Sequence, residues 1–295
     1  MVQLSSGTSI QTVNGRKYGL HAVGPIHGKP IFHHHGGPSS RLEVELFRLT
    51  AEELGLCIIG IDRPGIGLSD PFEPRRFSDF ANDVTALADL LGFKRFAVSG
   101  WSEGGPWALG CAHYIDPTRL VMTASIAGGS YGAFGDNWCA PFQDKVDRLG
   151  GFLAMHVTPA FTLMYDMLGW DAVKHSENYW HQLMSALSQS DQDLCSNPEI
   201  KSLFLKTSAE CFRAGAHGLV ADALALYHQW DFDVRQTKGK VQFWQGEDDR
   251  LIPPEINLRI EKVMPHATWN SVAGIGHFVA VKNAKDIFGG LKDAF

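Results

Sequence analysis

The chain has few cysteines and lacks long apolar runs. Its five cysteines among 295 residues form no C-x-x-C pair, and their odd number disfavours a framework of disulfides. No basic segment followed by an apolar one stands at the N-terminus, and no stretch of about 18 apolar residues occurs anywhere. We therefore expect no signal peptide, no membrane-spanning helix and no membrane partner, and we expect a cytoplasmic protein.

Basic residues are also in the minority. The chain has 26 lysines and arginines against 32 aspartates and glutamates, which gives a net charge of -6. Proteins that bind nucleic acid usually present a basic face, so this balance disfavours a nucleic-acid partner. With 44% hydrophobic and 20% charged residues, the composition is that of a globular protein and excludes disordered and collagen-like classes. The length fits one large domain or a domain that carries an insertion.

Eight short segments have the apolar character of strands. They cover residues 10–13, 17–23, 30–34, 56–61, 96–99, 120–127, 241–244 and 268–272. Asn14-Gly15, between the first two, is a turn pair typical of β-hairpins. Helical apolar spacing follows other strands, for example over 41–54 and over 77–91, where Ser78 is the predicted N-cap. This alternation predicts the α/β class, with a mostly parallel eight-stranded sheet and helices on both of its faces.

The strand pattern stops between the sixth and seventh strand segments. Helical stretches take its place at 141–153, 162–168, 179–187 and 218–227. We expect residues 129–237 to form a helical cap, inserted between the two parts of the sheet domain at 1–128 and 238–295. The insertion is rich in large apolar residues: Trp138, Phe142, Phe152, Met155, Phe161, Met164, Tyr165, Met167, Trp170 and Trp180. Most are expected to form the core of the cap, and others, including Trp138, to line an apolar substrate pocket.

The pattern G-x-S-x-G, which can mark a nucleophilic serine, occurs twice. Ser102 stands between a strand segment and a helical segment, the setting in which a sharp turn exposes a serine hydroxyl. Ser130, in the second match, is followed by Gly, Asn and Pro rather than by a helical pattern. Context therefore favours Ser102 as the nucleophile. A phosphate-binding turn is disfavoured because the glycine spacings typical of nucleotide-binding loops are absent.

A nucleophilic serine needs a base, and the base needs an acid partner. Three carboxylates, Glu247, Asp248 and Asp249, follow the seventh strand segment, at the end where the active sites of parallel sheets open. The frame G-x-x-D-x-x-[VI]-P, which runs from Gly246 to Pro253, favours Asp249 as the acid. Asp248 is the alternative.

His277 is the predicted base among the 13 histidines. It follows the last strand segment in a glycine-rich loop, before the terminal helical segment. The run His33, His34 and His35 suggests a metal site. However, no cluster of acidic or cysteine ligands accompanies it, so we expect no metal.

A carbonyl under attack develops negative charge, which backbone N–H groups can stabilise. The residue after the nucleophile supplies one donor, here the N–H of Glu103. The second donor is expected from the loop H-G-G-P at 35–38, in which the proline has no N–H; Gly37 is the first choice and Gly36 the second. We also expect Gly36 and Trp101 to contact the substrate. The side chain of Glu103 is expected either to contact the substrate or to be bonded within the fold.

These motifs together resemble the α/β-hydrolase superfamily over nearly the whole chain outside the insertion. The resemblance rests on H-G-G-P at 35–38, D-R-P-G-I-G-L-S at 62–69, the segment 100–105, the segment 246–253, and Gly276-His277. It implies a core sheet, a cap over the site and a catalytic triad of Ser102, Asp249 and His277, in the chain order of that superfamily.

Features of individual subfamilies are mixed. H-G-G-P is similar to the start of prolyl iminopeptidases, but W-S-E at 101–103 differs from the G-G-S-W-G that is common at their elbow, which disfavours an aminopeptidase. Epoxide hydrolases and haloalkane dehalogenases, which are similar in layout, use an aspartate as nucleophile. Ser102 therefore disfavours both.

The sequence thus predicts a serine hydrolase that needs no cofactor. The expected substrate is a carboxylic ester, a lactone or a related acyl compound, small and largely apolar. Non-hydrolytic use of the same triad, as in a lyase or a cofactor-free oxygenase, is one alternative. An aminopeptidase of the prolyl iminopeptidase type and a ligand receptor on a hydrolase scaffold are two others. The sequence gives no indication of the oligomeric state.

Overall fold

One eight-stranded sheet forms the centre of the protein. The computed structural model describes residues 5–135 and 145–295. The strands are β1 Gly7–Val13, β2 Arg16–Val23, β3 Lys29–His34, β4 Leu56–Ile61, β5 Phe96–Trp101, β6 Leu120–Ile126, β7 Val241–Gly246 and β8 Thr268–Val272. Their spatial order is β1-β2-β4-β3-β5-β6-β7-β8. Only β2 runs antiparallel to its neighbours β1 and β4, so the predicted mostly parallel sheet is confirmed.

The predicted hairpin joins β1 to β2. Val13 pairs with Arg16 across a two-residue loop. Asn14 and Gly15 in that loop both have positive φ angles, 50° and 76°. Such a loop suits the twist of two adjacent antiparallel strands, and Asn-Gly is the pair that adopts it most readily.

Twelve α-helices accompany the sheet in the described residues. They are α1 Arg48–Leu54, α2 Phe77–Leu90, α3 Gly104–Tyr114, α4 Lys145–His156, α5 Thr158–Lys174, α6 Ser176–Ala186, α7 Gln189–Cys195, α8 Pro198–Cys211, α9 His217–Tyr227, α10 Pro254–Glu261, α11 Val279–Lys282 and α12 Ala284–Asp293. Short 3₁₀ helices cover Arg41–Phe47, Tyr131–Phe134 and Val234–Gln236. No helix in the described part of the chain is long and apolar enough to cross a membrane.

Two predictions about helices need correction. The single helix expected over 41–54 is a 3₁₀ helix followed by α1. Val44 and Phe47 are three residues apart, so the 3₁₀ geometry places both on one face, where they are fully buried. Ser78 is not the N-cap of α2, because the helix begins at Phe77 and the N-cap position is Arg76.

The segment between β6 and β7 is helical, with α4 to α9 in its described part. We call these six helices the inserted helices. Of these, α7 and α8 were not predicted, and α5 is longer than the predicted stretch at 162–168. Trp138, Phe142 and the start of the helix predicted at 141–153 lie outside the described residues.

Two apolar layers cover the sheet, because successive side chains of a strand point to opposite faces. Phe32 of β3 and Val98 of β5 belong to the layer that contains α2 and α3. Their neighbours Ile31 and Ala97 belong to the layer formed with the first 3₁₀ helix, α1 and α12. All four residues are fully buried, as expected for parallel strands with helices on both faces.

The carboxyl ends of the parallel strands position the candidate site. The order in which the chain adds strands to the sheet reverses at β3: β4 lies on one side of it and β5 on the other. The parallel strands β3 and β5 are therefore neighbours in space but not in sequence. Ligands bind at such a switch point in open α/β sheets. The loops after β3 and β5 carry Gly36, Gly37 and Ser102, and the loops after β7 and β8 carry Asp249 and His277.

Candidate active site

Ser102 lies at a sharp turn between β5 and α3. Its backbone has a positive φ of 55°, a conformation that non-glycine residues rarely adopt. The serine N–H donates to Ile126 O on β6 at 2.8 Å, and its carbonyl accepts the N–H of Gly105 at 2.9 Å. The surrounding backbone therefore holds this strained residue in place, as is typical of a functional turn.

The two glycines of the G-x-S-x-G pattern are needed for close backbone approach. A Cβ added to Gly100 would lie 2.0 Å from Gly104 O, and one added to Gly104 would lie 2.0 Å from His34 O on β3. Any side chain at these positions would push the turn away from the sheet. The pattern at Ser102 therefore has a direct steric explanation.

Ser130, in the second G-x-S-x-G match, has a structural contact. Its side chain is fully buried, and its hydroxyl donates to Ile256 O on α10 at 2.6 Å. The residue stands before the short 3₁₀ helix Tyr131–Phe134 rather than before an α-helix. As the sequence context predicts, Ser102 stands before an α-helix and Ser130 does not.

His277 and Asp249 form a buried pair. Nδ1 of His277 lies 2.9 Å from Oδ2 of Asp249. Oδ1 of Asp249 accepts the N–H groups of Leu251 and Ile252, at 3.0 and 2.9 Å, and Oδ2 also accepts from Gln245. Hydrogen bonds thus fix both oxygens of the Asp249 carboxylate. Since Nδ1 of His277 bonds this carboxylate, Nε2 is the ring nitrogen that does not bond it.

Of the three adjacent carboxylates, Asp249 is the one that pairs with the histidine. Asp249 is buried, whereas Glu247 and Asp248 are exposed. Glu247 accepts the hydroxyl of Ser271 at 2.9 Å, on the outside of the loop. The geometry therefore favours Asp249 over the alternative, Asp248.

The pKa of His277 is raised above its ordinary value of 6.5. Burial alone would lower it, because an imidazolium loses hydration in the interior. The carboxylate of Asp249 opposes that effect through charge and hydrogen bonding, and together with Asp191 and Glu43 it outweighs the effect of burial. This environment stabilises the protonated imidazole that a general base becomes when it accepts a proton.

Glu43 and Arg63 fix the glycine loop after β3. The N–H of Gly36 donates to both carboxylate oxygens of Glu43, at 3.1 Å each. The carbonyl of Gly36 accepts from Nη2 of Arg63 at 3.3 Å and from Nδ1 of His35 at 2.7 Å. Because Gly36 has already committed its N–H, it is not free to act as an oxyanion donor.

The same contacts orient the next peptide group. The peptide bond between Gly36 and Gly37 is trans, so its N–H points opposite to the carbonyl held by Arg63 and His35. A Cβ added to Gly36 would lie 3.3 Å from Cβ of Ser102, which places this loop directly against the serine. The geometry therefore favours Gly37 over Gly36 as the donor.

Glu103 is buried beside the glycine loop. The residue is 6% exposed, and a Cβ added to Gly37 would lie 1.8 Å from its Oε2. The carboxyl thus occupies the space that any side chain at position 37 would need. Burial, together with the nearby Asp222, raises the pKa of Glu103 to about 7, although Arg63 acts in the opposite direction.

A cavity of about 230 Å³ brings these groups together. Of the predicted residues, Gly36, Gly37, Trp101, Ser102, Glu103 and His277 line it. The inserted helices supply a largely apolar wall, which includes Phe161, Met164, Tyr165, Tyr179, Leu183, Phe204 and Tyr227. Asp249 lies behind His277 and is not part of the lining.

Comparison with known proteins gives matches over most of the chain. A family model described as the alpha/beta hydrolase fold matches residues 29–284. The AB hydrolase superfamily protein YisY of Bacillus subtilis (strain 168) is 36% identical over 265 residues, which are 85% of this chain and 85% of the relative. This chain belongs to the α/β-hydrolase superfamily. The resemblance inferred from the sequence motifs is confirmed.

Solved structures of α/β hydrolases share the fold. A bromoperoxidase from Bacillus anthracis has a TM-score of 0.67 at 16% identity, covering 98% of this chain and 99% of the other. A thermophilic esterase from Thermogutta terrifontis has a TM-score of 0.66 at 17% identity, covering 98% and 97%. An enol-lactonase from Burkholderia xenovorans LB400 has a TM-score of 0.64 at 16% identity, covering 97% and 99%. At these identities the likeness shows the fold alone.

Asp191 contacts the candidate site of this α/β hydrolase, and sequence reasoning missed it. It lies on α7 of the inserted helices and is fully buried. Its carboxylate accepts the backbone N–H groups of His277 and Phe278, at 2.8 and 3.0 Å, and also the hydroxyl of Ser188. No motif identified it, because its contacts are made with a loop distant in sequence.

Glu43 and Arg63 were missed for a related reason. Arg63 belongs to the D-R-P-G segment that contributed to the family resemblance, but the segment alone gave the residue no role. In the structure its buried guanidinium links the glycine loop to Asp222 on α9 at 2.6 Å. Glu43, apart from holding Gly36, bonds Nε2 of His33 at 2.8 Å.

Trp101 has two sets of contacts in this α/β hydrolase. It lines the cavity, and its contact with substrate stays a prediction. Its indole N–H also donates to the carbonyl of His277 at 3.0 Å, and its ring packs edge-on against Phe278. Trp101 therefore helps to hold the histidine loop. Trp138, the other predicted aromatic contact, lies outside the described residues.

The three consecutive histidines are all buried, and they do not converge on one site. His33 lies between Ser99 and Glu43, and His35 bonds the carbonyl of Gly36. Burial holds the pKa values of His34 and His35 well below 6.5, with Arg63 contributing, so both are neutral. Among the described residues, no group of three or more His, Cys, Asp or Glu side chains has the arrangement of a metal site.

Proposed function

We propose that this α/β hydrolase is a serine hydrolase that cleaves a carboxylic ester, a lactone or a related acyl bond of a small, largely apolar substrate. The observation that carries the proposal is the shared cavity of Ser102 and His277. Ser102 has the left-handed backbone of a nucleophile turn, and His277 is paired with Asp249 through Nδ1. Esterases and an enol-lactonase among the solved structures of the same fold support this reaction class.

In the first half-reaction, Oγ of Ser102 attacks the acyl carbon. Nε2 of His277 accepts the hydroxyl proton, and Asp249 keeps the ring oriented and stabilises the imidazolium. The tetrahedral intermediate then expels the alcohol, which takes that proton from His277. An acyl-serine ester remains.

In the second half-reaction, water replaces the alcohol. His277 removes a proton from the water as its oxygen attacks the acyl carbon, and returns it to Oγ of Ser102 as the ester breaks. The carboxylic acid leaves with one oxygen from the solvent. No cofactor takes part in either step.

The N–H groups of Gly37 and Glu103 are the proposed donors to the oxyanion. Glu103 follows Ser102 directly in the chain, and Gly37 follows Gly36, which lies against Ser102. The contacts that hold the carbonyl of Gly36 also orient the N–H of Gly37. Preorganised backbone donors of this kind are worth about 10²-fold to 10³-fold each in rate. Glu43 and Arg63 hold the glycine loop in place, so the N–H of Gly37 is preorganised.

We further propose that residues 129–237 act as a cap over this cavity. The described inserted helices provide much of its apolar wall. Enclosure by such a wall limits the access of water to the reacting groups and favours an apolar acyl or alcohol part. The two remaining parts of the chain, 1–128 and 238–295, then form the sheet domain.

Labelling with a fluorophosphonate tests the nucleophile. We expect the wild-type protein to react at Ser102 and to hydrolyse an activated ester such as p-nitrophenyl acetate, and we expect Ser102→Ala to lose both properties. Ser130→Ala is the matched control, because it removes the serine of the second G-x-S-x-G pattern, and it should keep both. Unchanged turnover in Ser102→Ala would exclude this mechanism.

Hydrolysis in labelled water tests the reaction type. One oxygen of the carboxylic acid product should come from the solvent, as the second half-reaction requires. A product without solvent oxygen would instead indicate non-hydrolytic use of the same residues.

A further inference from the structure

The carboxyl group of Glu103 has a position that the proposed mechanism does not use. The mechanism needs only the backbone N–H of this residue. Its side chain is 6% exposed and lines the same cavity as Ser102. Oε2 is buried and has no hydrogen-bond partner among the described residues. Buried polar atoms are nearly always bonded, so an unpartnered oxygen on a residue that lines a cavity is a candidate to accept a hydrogen bond from a ligand or from a water molecule.

The carboxyl lies close to where the reaction would occur. It follows Ser102 directly in sequence, and it fills the space beside Gly37, where a Cβ would come within 1.8 Å of Oε2. A substrate carbonyl attacked by Ser102 and held by the N–H groups of Gly37 and Glu103 would therefore have this carboxyl next to its α position.

The charges around the cavity favour a cationic donor. Glu43 and Glu103 line the cavity, whereas no lysine or arginine does so among the described lining residues. The nearest buried guanidinium, that of Arg63, is bonded to Asp222 and to the carbonyls of His35 and Gly36. An anionic substrate would meet two carboxyl groups, with no lysine or arginine among the described lining residues to balance them.

A protonated amine meets both requirements of the site. It would supply the hydrogen bond that Oε2 lacks and the positive charge that a buried carboxylate needs. Burial raises the pKa of Glu103 to about 7 when no such cation is bound, and an ammonium group would lower it again. A neutral hydroxyl would supply only the hydrogen bond.

We propose that Glu103 is a specificity-determining residue whose carboxylate binds the ammonium group of an α-amino acyl ester, with the ester carbonyl presented to Ser102. The apolar wall formed by Phe161, Met164, Leu183, Phe204 and Phe278 would take an apolar side chain of the same acyl group. This inference rests on the proposed serine hydrolase function and adds the substrate class to it.

A matched pair of esters tests the proposal. The methyl esters of L-phenylalanine and of 3-phenylpropanoic acid differ only in the amino group. At neutral pH we expect the wild-type enzyme to prefer the amino ester in kcat/KM by about tenfold or more, after correction for the rate of each ester with hydroxide. A charged hydrogen bond of ordinary strength gives a preference of that size.

Glu103→Gln should remove this preference, because the amide keeps the shape of the side chain without its charge. The ratio of the two kcat/KM values is the readout, since any effect on the nucleophile turn changes both esters alike. Glu52→Gln, at an exposed position on α1, is the control and should keep the wild-type ratio. A wild-type ratio near unity, or an unchanged ratio in Glu103→Gln, would overturn the proposal.

Binding without turnover separates this inference from the proposed function. Calorimetry on Ser102→Ala should show 2-phenylethylamine binding at least about tenfold more tightly than 2-phenylethanol. Equal affinities would overturn the role of Glu103, even where Glu103→Gln fails to fold. Tight amine binding combined with no ester hydrolysis and no fluorophosphonate label at Ser102 would instead contradict the hydrolase function and keep the amine site.

Discussion

The carboxylate of Asp191 accepts the backbone N–H of His277 at 2.8 Å, although 86 residues separate the two in sequence. Asp191 belongs to an inserted helix, and His277 belongs to the loop after the last strand. One side chain of the insertion thus fixes the loop that carries the proposed base. In a catalytic site, a displacement of about 1 Å can cost 10²-fold in rate, so we expect this contact to affect the proposed activity.

Asp191→Ala should therefore impair both catalysis and stability. It leaves the N–H groups of His277 and Phe278 buried without acceptors, at about 1–3 kcal/mol each. We expect kcat/KM for an activated ester to fall by about 10-fold to 10²-fold. Asp191→Asn, which keeps one acceptor oxygen, should be intermediate. Ester kinetics and thermal unfolding measure the two effects.

The pH profile of Asp191→Asn distinguishes positioning from a purely structural role. The charge of Asp191 helps to raise the pKa of His277, so its removal should move the acid limb of kcat/KM to lower pH. Asp193→Asn, at an exposed position on the same helix, is the control and should behave as wild type. Wild-type kinetics and an unmoved acid limb in both Asp191 variants would contradict the assigned role.

The wild-type pH profile should reflect the raised pKa of His277. Only the neutral imidazole can accept the proton of Ser102, so activity is lost as the pH falls through this pKa. Because the pKa is raised, the loss should begin at a higher pH than for an ordinary histidine of pKa 6.5. Kinetics on a neutral ester across this range measure the midpoint.

Asp249→Asn should move the midpoint of the acid limb to lower pH, because the amide does not stabilise the imidazolium. It should also lower kcat by about 10³-fold or more, because the amide does not fix the tautomer of His277. Asp248→Asn is the matched control, since its side chain is the adjacent carboxylate and is exposed. A large loss in Asp248→Asn, with little change in Asp249→Asn, would reverse the choice between the two acids.

Gly37→Ala should destabilise the protein through one contact. The added Cβ would lie 1.8 Å from Oε2 of Glu103, so the loop or the carboxyl has to move, at about 1–3 kcal/mol. Urea unfolding measures the loss. The double variant Gly37→Ala/Glu103→Ala should recover much of it, because the clashing group is gone.

Gly289→Ala provides the comparison for that substitution. Gly289 lies on α12, where an added Cβ meets nothing within 4 Å, and an alanine should stabilise the helix by about 0.5–1 kcal/mol. Additive losses in the Gly37→Ala/Glu103→Ala variant would show that the two side chains do not compete for the same space.

Asp231→Ala should destabilise the start of α2. The Asp231 carboxylate accepts the N–H groups of Phe77 and Ser78 and the hydroxyl of Ser78, at 3.2, 3.1 and 2.7 Å. Loss of such a cap costs about 1 kcal/mol, measurable by urea unfolding. Ser78→Ala removes only the hydroxyl contact and should cost less. An equal or larger loss in Ser78→Ala would favour Ser78 as the capping group.

The local sequence determined the strands, the hairpin turn and the residue types of the site. Buried strands are short apolar runs, and Asn14-Gly15 prefers the positive φ angles of its turn. Ser102 and Asp249 could be selected as candidates because short-range signals surround them: glycines at a sharp turn and a framed acid after a strand. His277 was predicted in the same way, from its glycine-rich loop.

Tertiary structure alone decided the contacts between residues far apart in the chain. Asp231 caps a helix that begins 154 residues earlier, so Ser78 is not the cap. Asp191 holds the loop of His277, and Glu43 and Arg63 determine which N–H of the glycine loop remains available. A carboxylate or guanidinium can bond any backbone group that folding brings near it, so these partners leave no pattern along the sequence.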